Sequence, residues 1–309
     1  MNWDEILRKS WEHIRKQRYL WWLGILAVLT EGGSSWGSTG GSSGSGWTTS
    51  DTQEMSRAAE SVGRWVGENL MAIAVILVAL FLIFLIVLYI SYSARAGLIH
   101  SVNFLESEGE KKITFGQAFQ AGERYFWRML GATILIALLI FAAILILLAL
   151  GIGLFALAIT ISEWLIIIML GYLFVVILAV AILAIYLNII LNLAYRNLVI
   201  KNSGVIVSLR AGRELLHHNF DKIVLAWLIQ LAINIFVAMA LLLGIVIAGL
   251  ALVVIGVGIY FAGGWLGVGI FAAVAILLII LAFWAIGGLV NAYFSTFWTL
   301  VWRELVYNK

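Results

Sequence analysis

Leu70–Tyr92 reads LMAIAVILVALFLIFLIVLYISY, twenty-three residues without a single charge. A helix needs roughly 20 such residues to cross the hydrocarbon core of a bilayer. Backbone groups in hydrocarbon are satisfied only within helices or closed barrels, so the stretch predicts a transmembrane helix. Leu130–Ile161, Trp164–Leu187, Ile223–Phe261 and Leu266–Val290 predict four more. Composition agrees: 63% of residues are hydrophobic and 11% charged, whereas about 25% are charged in a soluble domain.

A sixth run, Tyr19–Thr30, is shorter and follows a basic amino-terminal segment, a combination shared with secretory signal peptides. Trp21 and Trp22 inside it, and the lack of an A-x-A site after Val28, argue for an uncleaved, lean span. Lys16 and Arg18 would then snorkel to one set of headgroups while Ser34 and Trp36 meet the other. Cysteine and proline are both absent. No disulfide or thiolate metal site can form, and helix continuity is favoured throughout.

Lysine and arginine prefer the cytoplasmic side of a membrane, and seventeen of the nineteen fall into four segments between or beyond the spans. Arg57 and Arg64 lie in the first outer loop, where acids outnumber them. Basic segments on one side require an even number of crossings between them, so Tyr19–Thr30 must span if Leu70–Tyr92 does. The expected fold class is therefore all-α: a polytopic integral membrane protein of six transmembrane helices, both termini cytoplasmic, in a single membrane domain.

Internal similarity divides that domain. TFGQAFQAGERYFW from Thr114 aligns with GVIVSLRAGRELLH from Gly204, each immediately before a hairpin. Phe115, Ala118, Phe119, Gly122, Tyr125 and Phe126 follow the stripe of an amphipathic helix, and Thr114 with Gln117 reads as a capping box. Trp3, Leu7, Ser10, Trp11 and Ile14 suggest a third copy. The units run 1–93, 113–200 and 204–309, the first with a Gly/Ser-rich outer loop at 32–50 and an amphipathic stretch from Asp51 to Asn69. Parallel repeats of this kind are related by an axis along the membrane normal. Such helices lie in the headgroup plane, where basic residues attract anionic lipid, or else pack on protein. In the lipid version Arg15, Lys16, Arg18, Arg124, Arg128, Arg210, Arg213 and Lys222 contact headgroups. The glycine-rich outer extensions, with G-x-x-x-G at Gly263 and Gly267, suit tilt, re-entry into the outer leaflet or a homo-oligomer contact.

Catalytic signals are absent. Gly40, Ser42 and Gly44 match G-x-S-x-G within a Gly/Ser repeat, but His13, His100, His217 and His218 all fall on the opposite side of the membrane, so no base reaches Ser42. His217 and His218 are adjacent on a helix, diverge, and do not share a metal. GIGLFA and GVGIFA match G-x-G-x-x-A without a βαβ context. No enzyme activity, cofactor, metal or nucleic-acid partner is expected. The remaining candidates are intramembrane polar residues, which are costly there and line interiors or cavities. Asn188 and Asn192, Gln230 and Asn234, and Asn291 and Ser295 each lie four apart on one helix face. They read either as interhelical glue or as the lining of a small polar cavity.

The segments AGERYFWRMLG, LRAGRELLHHNF and FWTLVWRELV, set among paired spans, resemble a broad prokaryotic group similar to the membrane domain of some glycerophosphoryl diester phosphodiesterases. That resemblance implies a membrane anchor or organiser without a catalytic domain. The expected role is a non-enzymatic scaffold of the cytoplasmic membrane that associates with anionic lipid; the alternative is a permease or channel lined by the amides.

Overall fold

The computed structural model describes residues 1–29, 69–108, 113–161 and 165–307. The Gly/Ser-rich loop, the amphipathic stretch before Asn69, Glu163 and the Lys111–Lys112 pair lie outside the described residues. Among those described, every element is an α-helix: α1 (Trp3–Lys16), α2 (Tyr19–Ala27), α3 (Leu70–Glu108), α4 (Phe115–Glu123), α5 (Phe126–Ile161), α6 (Leu165–Ile200) and α7 (Val205–His218). A last helical run is divided at Gly264 into α8 (Phe220–Phe261) and α9 (Gly264–Tyr307). Gly264 has φ 60° and ψ −160°, a region open almost only to glycine, and there the chain reverses between two long helices.

Five helices, α3, α5, α6, α8 and α9, are long and apolar enough to cross a membrane. The nine residues of α2 rise only about 13 Å, less than the ~30 Å hydrocarbon core. It is therefore a half-length helix rather than the twelve-residue run expected. α2 lies against α9 and α3 through very close backbone approach. A Cβ on Gly24 would overlap the Gly288 carbonyl and sit 2.8 Å from the Ala292 Cβ. Ser91 Oγ donates to the Ala27 carbonyl at 2.6 Å. Small residues at such crossings let helices gain dispersion contacts where lipid supplies no hydrophobic drive.

The buried side chains gather at one end. α3 contributes from Ser91 to Leu105, α6 from Leu187 to Val199 and α9 from Ala292 to Leu305, with α1, α2, α4 and α7 closing around them. Beyond this base the long helices present Val75, Phe81, Ile146, Phe174, Phe236 and Leu278 outward, all more than half exposed. Apolar side chains on every face need no protein partner when the solvent is lipid, so the upper halves of the hairpins are sheathed by acyl chains rather than by one another.

The two amphipathic segments resolve in favour of protein packing along the stripe. On α4 the buried positions are Ala118 and Gly122, and a Cβ at Gly97 of α3 would come 2.6 Å from the Ala118 carbonyl. On α7 they are Ser208, Gly212 and Leu216, and a Cβ at Gly212 would come 2.9 Å from the Ile190 carbonyl of α6. Gln117 accepts from the Thr114 backbone N–H at 3.1 Å, closing the capping box. The aromatic flanks divide: Phe126 is buried, while Phe115 and Trp127 point outward, as do Ile206 and Val207. α1 buries Ile6, Ser10 and Ile14, a line rotated from the expected stripe, and leaves Trp11 exposed. His13 meets Glu106 of α3 at 2.7 Å.

Candidate functional site

Hydrogen-bond directions at three helices fix the character of a polar opening between α3, α6, α8 and α9. On α6, Arg196 donates to the backbone carbonyl of Asn192 and, at 3.3 Å, to Asn192 Oδ1. A guanidinium only donates, so Asn192 turns its oxygen toward Arg196 and its NH2 toward Asn188, whose Oδ1 it reaches at 2.8 Å. That leaves the Asn188 NH2 directed away from the row. On α9, Trp298 Nε1 donates to Gln230 Oε1 of α8 at 2.6 Å. The indole likewise only donates, so Gln230 keeps its NH2 for other acceptors. The orientation of both amides follows from the chemistry of their partners.

These residues surround one cavity of about 230 Å³, lined by α3, α6, α8 and α9. All six residues singled out in the sequence line it: Asn188, Asn192, Gln230, Asn234, Asn291 and Ser295. Asn291 Nδ2 and Ser295 Oγ are buried with no protein partner, and Ser295 is only 9% exposed. A buried polar atom left in this state costs on the order of 1–3 kcal/mol. Sequence reasoning missed two residues. Arg95 and Arg196 also line the cavity, although their charge was counted only for topology. Arg196 is 3% exposed, and one of its NH2 groups also approaches the Ser295 carbonyl at 3.4 Å. Arg95 lies over the Tyr195 ring at 4.9 Å, and the Tyr195 hydroxyl is held by Thr133 Oγ1 at 2.5 Å. The signal was present in one case, since Arg196 continues the Asn188–Asn192 row by one more turn.

Among the described residues, no aspartate or glutamate lines this cavity. Its polar inventory is two guanidiniums, five side-chain amides, one hydroxyl and the indoles of Trp227 and Trp298, so its chemistry is the recognition of acceptors and negative charge. A second polar cavity, of about 290 Å³ between α1, α3 and α9, is different in kind. Glu5, Glu106 and Glu304 line it beside Lys9 and Arg303, so its cations already face carboxylates within the protein. There Arg303 donates to Asn103 Oδ1 at 2.5 Å.

The mouth of the first cavity lies between α6 and α8. Asn188 is exposed at its rim, and Ile185 and Leu231 are each 40% exposed beside it. Arg15, Lys16, Arg18, Arg124, Arg128, Arg210, Arg213 and Lys222 are all exposed around the base rather than in the cavity. Two of them have protein partners: Lys16 pairs with Glu12 at 2.7 Å, and Arg128 donates to Asn202 Oδ1 at 2.7 Å. Among the described residues, no cluster of three or more His, Asp or Glu is placed to hold a metal.

A family model of unknown function matches residues 14–301. The chain belongs to the DUF7544 family. The matched range takes in the helices that build the cavity and leaves out most of α1. No curated protein and no solved structure matches the chain, and the family match shows no link to phosphodiesterase membrane domains.

Proposed function

We propose that the protein is a non-enzymatic component of the cytoplasmic membrane that binds an anionic lipid headgroup from the inner leaflet in the cavity between α6, α8 and α9. The observation that carries this reading is the lining itself: two arginines and the free amide NH2 groups of Asn188 and Gln230, with no acid among the described residues, beside the exposed apolar Ile185 and Leu231. The level is right for a headgroup. α7 crosses α6 at Ile190 and Ala194, the stretch of α6 that lines the cavity, and its exposed Arg210 and Arg213 suit the headgroup plane.

In this reading the chain crosses the membrane six times with both termini inside. α1 packs at the base with Trp302 and Leu305, and the 39-residue α3, about 58 Å long, starts at Leu70 at its far end, so the chain changes sides between α2 and α3. Three tandem units account for the matched docking of α4 on α3 and of α7 on α6.

A permease reading would use the same cavity. Above it, however, residues 235–290 of α8 and α9 carry no charged, amide or hydroxyl side chain except Tyr260, so a polar path to the far side has no lining on these helices. The test is lipid retention. Purified protein equilibrated in micelles with equal phosphatidylglycerol and phosphatidylcholine, then read by native mass spectrometry, should keep phosphatidylglycerol. Equal retention of the two lipids would reject the proposal.

A further inference from the structure

The character of the lining narrows the ligand beyond negative charge, and the inference rests on the lipid-binding reading above. We propose that the site takes a phosphate monoester dianion carried by a lipid, with Arg95 and Arg196 as the paired counter-charges. Three observations lead there. Among the described residues, the cavity lining holds two arginines and no carboxylate, which suits two negative charges better than one. A zwitterionic headgroup would place its ammonium against arginine with no acid to receive it. The neutral partners Asn188 and Gln230 keep NH2 groups for an acceptor, and a monoester offers three terminal oxygens to such donors where a diester offers two. Size agrees. A space of about 230 Å³ is below the ~300–1,000 Å³ of sites for drug-sized ligands, so it suits a bare phosphate rather than one bearing a further polyol.

The probes are phosphatidic acid, phosphatidylglycerol and phosphatidylcholine of matched chains, competing for the full-length protein in micelles. The expected result at pH 8 is phosphatidic acid retained about tenfold over phosphatidylglycerol, the ratio one added charge-assisted hydrogen bond supports. The preference should shrink toward unity at pH 5, because the second ionisation of a phosphate monoester lies near pH 6. Arg95→Gln and Arg196→Gln should each abolish it. Arg196 is buried, so folding of that variant is followed by its unfolding transition. Asn188→Ala, at the exposed rim, supplies a second variant, expected to lower the preference several-fold without loss of fold. Equal retention of the two anionic lipids above phosphatidylcholine would overturn the monoester assignment and leave lipid binding standing. Equal retention of all three would overturn both. Displacement of bound phosphatidic acid by millimolar glycerol 3-phosphate would support the dianion and remove the lipid as its source.

Discussion

Replacing Gly288 by alanine tests whether α2 is a fixed part of the membrane-embedded base. A Cβ there would stand 2.5 Å from Ile25 Cα and 2.7 Å from Ile25 N, against the ~3.5–4.0 Å of a relaxed carbon contact. α2 must therefore retreat by roughly 1 Å. Overpacking of this kind costs about 1–3 kcal/mol, and the Ser91–Ala27 hydrogen bond stretches with it, adding on the order of 0.6 kcal/mol, the average for such bonds in a membrane protein. The expected loss is about 2–3 kcal/mol. Gly244→Ala makes the control, since nothing lies within 4 Å of its Cβ position and glycine inside a helix is worse than alanine by roughly 0.5–1 kcal/mol. Unfolding by stepwise addition of SDS to mixed micelles, followed by tryptophan fluorescence, reads both. The two substitutions should move the midpoint in opposite directions. A Gly288→Ala midpoint equal to or above the parent would refute the close crossing.

Other substitutions probe the remaining contacts. Trp298→Phe removes the donor that holds Gln230 and should lower anionic-lipid retention several-fold while changing stability by about 1 kcal/mol, measured by native mass spectrometry beside the same SDS titration. Gly122→Val drives a branched side chain into the Ser93 carbonyl and Gly97; α4 should detach, read as faster proteolysis of the 109–125 segment with α3 intact. Gly264→Ala keeps ample space but strains the backbone, costing about 1–3 kcal/mol in the SDS titration; Gly258→Ala, with helical geometry and equally open surroundings, should not.

Much of this architecture was readable from the chain because lipid imposes simple rules. Charge-free runs such as Leu70–Tyr92 need length alone to declare themselves, and the five long helices follow them. The amide pairs were also visible, since Asn188 and Asn192, or Gln230 and Asn234, share a face through helical spacing. Their meeting in one cavity was not, because it depends on how α6, α8 and α9 cross. Arg95 and Arg196 stand just past the ends of apolar runs and looked like topology markers; only the fold turns them inward. The docking of α4 and α7 on protein had a signal that the stripe concealed: Ala118, Gly122, Ser208 and Gly212 are small, which suits a neighbouring backbone and supplies little area to a lipid interface. The Gly24–Gly288 crossing joins residues at opposite ends of the chain and has no local signature at all.

If an anionic headgroup sits among Arg95, Arg196, Asn188 and Gln230, a reactive group carried on it labels the cavity walls. Photo-crosslinking with an anionic phospholipid bearing its reactive group at the headgroup, followed by peptide mapping, tests it most directly. Adducts should concentrate on residues 185–196, 227–234 and 291–298 and disappear in the Arg95→Gln, Arg196→Gln double variant. Adducts spread along 70–90 and 134–152, or unchanged in that variant, would contradict the claim.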